Sequence, residues 1–502
     1  MSSTEFNKYI NSSEFKSLLQ QYENAQKAGE MMFFDSDDIV DIAEYYHIIG
    51  DLDSAEAAAD YCLRLHPDEA APLLFKARMA LVDYGDVEEA KALLSRLNEE
   101  EESLEAVYVK AEIMLSDGGA DKSDRYLRGK YASYMESREA GAFSDDMDED
   151  EETPDFALDV AMMYCDHGYS DYAERWMKKA NMPEKGPATE YYDTWARIYM
   201  DQQQWQKAVE MMDKVIDADA YNTSAWLVMS DAYFHLAQYQ EALQCVEYAV
   251  AIAPDEPDAY LSKGNILYAL NYMEEASRCF ERYNELSPGD PLGELLLATT
   301  LLCQSRTEEA YKHIRVVFEA YDELPLMQSR EALRMCATIA AKMGDDTFAM
   351  ECCDLMEASG ASAVETDLVR GAVCVEVHDM QKALAYFNKA VEASDYDLTI
   401  VARIGIIAYE AGLYSVAYKM LKEAVVPYDG TDFTECPPQF LAFFTGACYN
   451  MHQRKEYLHY LKYAVECAPL DISIVLGEYF KPGTEPRDYY KIELEKNDKE
   501  EE

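Results

Sequence analysis

Residues Thr223 to Pro288 read TSAWLVMSDAYFHLAQYQEALQCVEYAVAIAPDE followed by PDAYLSKGNILYALNYMEEASRCFERYNELSP. Laid one over the other, the two blocks return the same kinds of side chain 34 residues apart: Ala242 as Ala276, Pro254 as Pro288, Ser230 as Gly264 and Tyr239 as Met273. A unit of this length holds two short helices that cannot bury their apolar faces alone, so neighbouring units must stack. The period predicts an all-α chain, a solenoid of helical hairpins.

Within the unit, helix A carries Trp226, Met229, Ser230 and Tyr233, a stripe at spacings of three and four that makes one apolar face. Helix B carries Ala242, Val246 and Ala249, and Pro254 closes it. Ser230 and Ala242 are small because the two helices of a hairpin cross too closely there for a long side chain. The turn near Ala237 is often Gly in other units, the residue that most easily takes the left-handed conformation ending a helix. The same frame fits Gly50, Ala55 and Pro67, then Gly168, Ala173 and Ala180, then Trp195, Ala196, Tyr199 and Ala208. It continues through Ala298, Leu301 and Ala310, through Gly405, Gly412 and Ala417, and through Phe444, Cys448, Leu461 and Ala464. A weaker unit covers Leu104 to Leu127. About twelve units result.

The chain has 502 residues, too many for one spherical core, and its 49% apolar content argues against wholesale disorder. Acids outnumber bases 97 to 44, a formal net charge of -53. Binding to a phosphate backbone needs Lys and Arg to displace counterions, so nucleic acid and anionic membrane surfaces are set aside as partners. Two readings of the charge stay open: solubility of a long array, or steering of a basic partner. The N-terminus shows no basic stretch followed by an apolar one, and no apolar run is long enough to span a membrane. Without a secretory route the sequons at Asn11 and Asn222 carry no meaning. The 12 Cys lie mostly in helical apolar patterns, as reduced, packed cysteines do in a cytoplasmic protein.

The recurring small and aromatic positions resemble those of the tetratricopeptide-repeat family over roughly residues 36 to 470. The resemblance implies an alpha-alpha superhelix, a right-handed solenoid of hairpins in which helices A line a concave groove. It also implies a non-enzymatic scaffold or adaptor that binds a protein, as an extended peptide or a partner helix. On this frame residues 1–35 are N-terminal capping helices, 36–143 an N-terminal array and 154–470 the main array. Residues 145 to 152, Asp-Asp-Met-Asp-Glu-Asp-Glu-Glu, repel one another and mark an acidic linker at 144–153. Its spacing is not that of a calcium loop. Residues 471–502 complete the chain as a capping helix and polar tail.

A search for chemistry finds no zinc-protease His pair, no phosphate-cradling Gly loop and no nucleophile elbow. Neither catalytic residues nor a cofactor or metal site is expected. Of the eight His, His167, His378 and His452 fall at hairpin turns, where a polar residue tolerates solvent. In the family geometry the inward positions of helix A are Leu227, Asp231 and Phe234, then Leu261, Asn265 and Tyr268, then Leu295, Thr299 and Leu302, with Tyr199 just before them. Phe234, Tyr268 and Tyr199 have the aromatic character of binding anchors. These apolar residues either meet a ligand or pack against a neighbouring helix A or a superhelix closed on itself; both readings stay open. Some family members clamp an acidic peptide tail with Lys, Asn and Arg. Here Asn265, Arg197 and Arg334 do not assemble that set in adjacent units, while Asp193, Asp231 and Asp258 favour a partly basic, apolar segment. The rival classes are an enzyme with a site in the loop from Val426 to Pro438 or between arrays, and a self-associating structural protein.

Overall fold

Polar caps and left-handed turns cut the chain into helices of similar length. Asp51, Asp86, Ser103, Asn222, Asp345 and Asp379 each accept a backbone amide three residues on, satisfying an orphan donor of the helix that follows. Part of the acid excess therefore works at helix starts. Helix A then ends on a residue of positive φ: Gly50 at 79°, Ala237 at 55°, Asn271 at 61°, Ser305 at 61°, Gly344 at 77°, His378 at 62° and His452 at 52°. Gly carries that conformation freely, whereas any residue with a Cβ is strained there by about 1 kcal/mol. His378 and His452 thus hold the turn itself, and His167 sits just before Gly168.

The computed structural model describes residues 9–28, 32–67, 69–97, 103–139, 155–182, 188–429 and 433–501. Among the described residues there is no strand. The acidic run 145–152 and the joint expected at 144–153 lie outside them. The chain divides into two compact units, Met1–Gln202 and Gln203–Glu502.

Unit 1 opens with α1 (Ser13–Ala28), whose Phe15 and Tyr22 join one core cluster with Ile39, Ile42 and Ala58. Four hairpins follow: α2 (Ser36–Ile48) with α3 (Leu52–Leu65), α4 (Ala70–Val82) with α5 (Val87–Leu94), α6 (Leu104–Ser116) with α7 (Ala120–Glu139), and α8 (Phe156–Asp166) with α9 (Ser170–Met177). Helix α10 (Thr189–Asp201) packs on the last of them.

Unit 2 opens with α11 (Trp205–Ala218). Its hairpins are α12 (Thr223–His235) with α13 (Tyr239–Ile252), α14 (Pro257–Ala269) with α15 (Met273–Leu286), and α16 (Pro291–Cys303) with α17 (Thr307–Glu319). Next come α18 (Leu326–Lys342) with α19 (Asp346–Ala358), α20 (Ala363–Glu376) with α21 (Met380–Ala393), and α22 (Leu398–Glu410) with α23 (Tyr414–Val425). Helices α24 (Pro438–Asn450) and α25 (Arg454–Cys467) form the last pair, followed by α26 (Pro469–Leu476) and α27 (Tyr489–Glu501).

The small positions do what their size predicts. Ala242, Ala276, Ala310 and Ala349 are fully buried where helix B crosses helix A. Ser230 is equally buried, and its hydroxyl donates to the Ala242 carbonyl at 2.9 Å across the hairpin. A Cβ on Gly264 would run into the Phe280 ring, so the crossing of α14 and α15 is set by the absence of a side chain.

Candidate functional site

In unit 2 most helices A touch the next: α12 meets α14, α16 meets α18, α18 meets α20, α20 meets α22 and α22 meets α24. Helices B make no comparable contact with one another among the described residues. Helices A therefore occupy the crowded inner side of unit 2 and helices B the splayed outer side, the arrangement that gives a concave wall.

The side chains expected on that wall divide into three groups. Leu227 and Phe234 are half-buried against a cluster built on Tyr239, Val246 and Ile266, with the Phe234 ring 5.3 Å from that of Tyr239. Leu261, Tyr268 and Leu302 are half-buried against the adjoining cluster, of which Leu295 is itself a member at 8% exposure. Leu295 is thus spent largely on packing, and Thr299 turns its hydroxyl back to the Leu295 carbonyl at 2.8 Å. Asp231 is exposed, Asn265 is half-buried, and His235 Nε2 stands 3.8 Å from Asp231 Oδ1. The His235 imidazole stacks on Trp205 at 4.2 Å. Tyr199 lies in unit 1, its ring stacked on Trp195 at 5.3 Å.

Charge continues the wall where the apolar residues stop. Arg334 Nε donates to Glu331 Oε2 at 2.7 Å, and Lys342 Nζ bonds Glu376 Oε1 at 2.8 Å. Burial pushes the Glu410 carboxyl above its usual range, against the pull of Arg334 and Lys342. Burial likewise lifts Asp231, opposed by His235, and the Cys303 thiol, which lies 3.4 Å from the Tyr268 hydroxyl. Water reaches Asp231, Cys303 and Glu410, yet nearby protein weakens their hydration. That combination belongs to the inside of a curved wall. Glu410, three hairpins away, adds to the rise of the Cys303 thiol.

Lys342, Glu376 and Glu410 were not among the expected wall residues. They recur at 34-residue intervals, one place beyond the inward positions considered, and that phase was the available signal. The loop from Val426 to Pro438 shows no catalytic arrangement among its described residues. Phe433 is buried against the rings of Tyr460 and Tyr463, while Asp429 accepts from His459 at 2.9 Å and from the Tyr460 hydroxyl at 3.1 Å. No group of three or more His, Cys, Asp or Glu among the described residues could hold a metal ion. No helix among them is long and apolar enough to cross a membrane.

A tetratricopeptide-repeat family model matches residues 230–298, and a second of the same description matches 199–255. Comparison with curated proteins finds no match. Similar solved structures include MamA, 20% identical over 33% of this chain and 95% of its own, with a TM-score of 0.30. PilF of Pseudomonas aeruginosa is 16% identical over 45% of this chain and 95% of its own, TM-score 0.36. PilW is 18% identical over 42% of this chain and 96% of its own, TM-score 0.37. Likenesses of that size say nothing of what this chain binds.

Proposed function

We propose that the chain, whose residues 199–298 match tetratricopeptide-repeat family models, is a protein-interaction scaffold rather than an enzyme, and that the inner wall of unit 2 binds a peptide carrying apolar anchors and some positive charge. The observation that carries this reading is the wall itself: half-buried Leu227, Phe234, Leu261, Tyr268 and Leu302 beside carboxylates at Asp231 and Glu410. Half-buried aromatic residues gain most when a partner completes their burial. Carboxylates lifted by burial gain when a cation restores what lost hydration took away. The peptide is extended or helical, its apolar side chains meeting the Phe234 and Tyr268 end and its basic ones Asp231 or Glu410. A reducing, cytoplasmic compartment suits the 12 cysteines, most of them buried.

Panning a random peptide library on the full chain tests the reading. Selected peptides are expected to combine aromatic or aliphatic anchors with Lys or Arg. They should lose at least about tenfold in affinity on the double variant Phe234→Ala, Tyr268→Ala, with helical content unchanged. Peptides that bind the double variant as well as the parent chain would place recognition elsewhere.

A further inference from the structure

The segment after the last hairpin returns to the middle of the chain. Beyond α26 it reaches the turns of α12/α13 and α14/α15 in the same unit. Gln240 donates its backbone N–H to Glu485 Oε1 at 2.9 Å and its side-chain amide to the Gly483 carbonyl at 3.3 Å, across 245 and 243 residues of chain. The Gly483 N–H donates to the Leu270 carbonyl at 3.1 Å. Leu470 packs on the Tyr239 and Leu270 cluster.

This contact is unlike the hairpin seams, which are apolar. It encloses the Glu485 carboxyl, while the Glu241 side chain stays 43% exposed, and the Oε2 atom of each is buried with no protein partner. Arg487 is the nearby cation, 3.7 Å from Glu241 Oε1. A carboxylate buried at such a contact, with a second carboxylate nearby, is costly to keep charged, so a proton on Glu485 favours the docked state.

We propose that residues 469–489 form a proton-sensitive latch: a proton on Glu485 holds the C-terminal segment on the start of α13, and loss of that proton releases it. The groups facing Glu485 are Tyr239 and Glu241 from α13, Arg487 from its own turn and Tyr489 from α27, with Asp471 of α26 reaching Tyr239. Burial lifts the Glu485 carboxyl above its usual range, and Glu241 adds to the rise, while the Gln240 amide and Arg487 pull it down. Tyr239 and Tyr489 are pushed up by burial and by Glu485, so they stay neutral throughout. A carboxyl whose docked pKa is raised binds its proton more tightly docked than free. The latch therefore tightens as pH falls through the docked value and loosens above it. Release also unbraces Tyr239, whose ring backs Phe234 on the inner wall. The latch does not depend on any ligand of that wall.

Hydrogen exchange of the whole chain at about pH 5.5 and about pH 8, corrected for the intrinsic rate, tests the latch. Protection over residues 238–242 and 477–490 is expected to fall at least about tenfold at the higher pH, with α16 and α17 unchanged. Glu485→Gln keeps an oxygen for the Gln240 amide and should abolish the fall; Glu241→Gln leaves Glu485 in place and should only shrink it. A flat response in the parent chain, a fall shared by the whole of unit 2, or a fall that persists in folded Glu485→Gln overturns the latch.

Discussion

Glu485 caps helix α13 in place of Gln238, whose own side chain makes no cap hydrogen bond: its Oε1 accepts the Gln240 amide at 2.9 Å from 245 residues further along the chain. An ordinary cap is local and adds about 1 kcal/mol to one helix. This one ties the start of unit 2 to its end, so the C-terminal segment is a structural part of the superhelix. Leu476 anchors that segment, fully buried in the cluster of α24 and α25. Leu476→Ala should cost about 2–5 kcal/mol in chemical denaturation, and a loss under about 0.5 kcal/mol would show that the segment is not fixed there.

The hairpin geometry makes paired predictions of opposite sign. Ala237 holds φ at 55°, so Ala237→Gly should stabilise unit 2 by about 0.5–1 kcal/mol. Gly264 faces the Phe280 ring, so Gly264→Ala should destabilise it by about 1–3 kcal/mol. Denaturation midpoints of the two variants check both, and shifts of the same sign would contradict this account of the turn and the crossing.

Acid should stabilise the N-terminal end of unit 1. Burial, followed by Glu44, Asp38 and Asp37, raises the Asp41 carboxyl from 3.8 to about 6. A carboxyl raised on folding binds more protons folded than unfolded between those values. Stability is therefore gained as pH falls through about 6 and the gain is complete below 3.8. Burial raises Asp38 in the same direction. Thermal unfolding near α2, read by local hydrogen exchange, should shift upward from about pH 7.5 to about pH 5.5, and Asp41→Asn should shrink the shift. An unchanged shift in the variant would assign the effect to other groups.

The fold was legible because its signal is periodic. Ala242, Ala276 and Ala310 repeat in phase, and each is buried at a helix crossing as its size requires. The left-handed turns were legible where Gly marks them and less so at Asn271, Ser305 and His378, which take the same conformation under strain. The inner wall was read only in part. Leu295 obeys the inward phase but is buried in the core, where α16 packs against α15 and also meets α18. Lys342, Glu376 and Glu410 lie one position outside the phase considered. The closure by Glu485 has no signal at all in a local pattern, since its partner at Gln240 belongs to another repeat about seven units away.

Hydrogen exchange of the full chain with and without a saturating, library-selected peptide tests the central claim most directly. Binding to the inner wall predicts slowed exchange in the helices A at 223–235, 257–269 and 291–303, with the facing helices B little changed. Raising salt should weaken the effect in proportion to the peptide's positive charge. Slowed exchange confined to the helices B, or to unit 1, would contradict the claim.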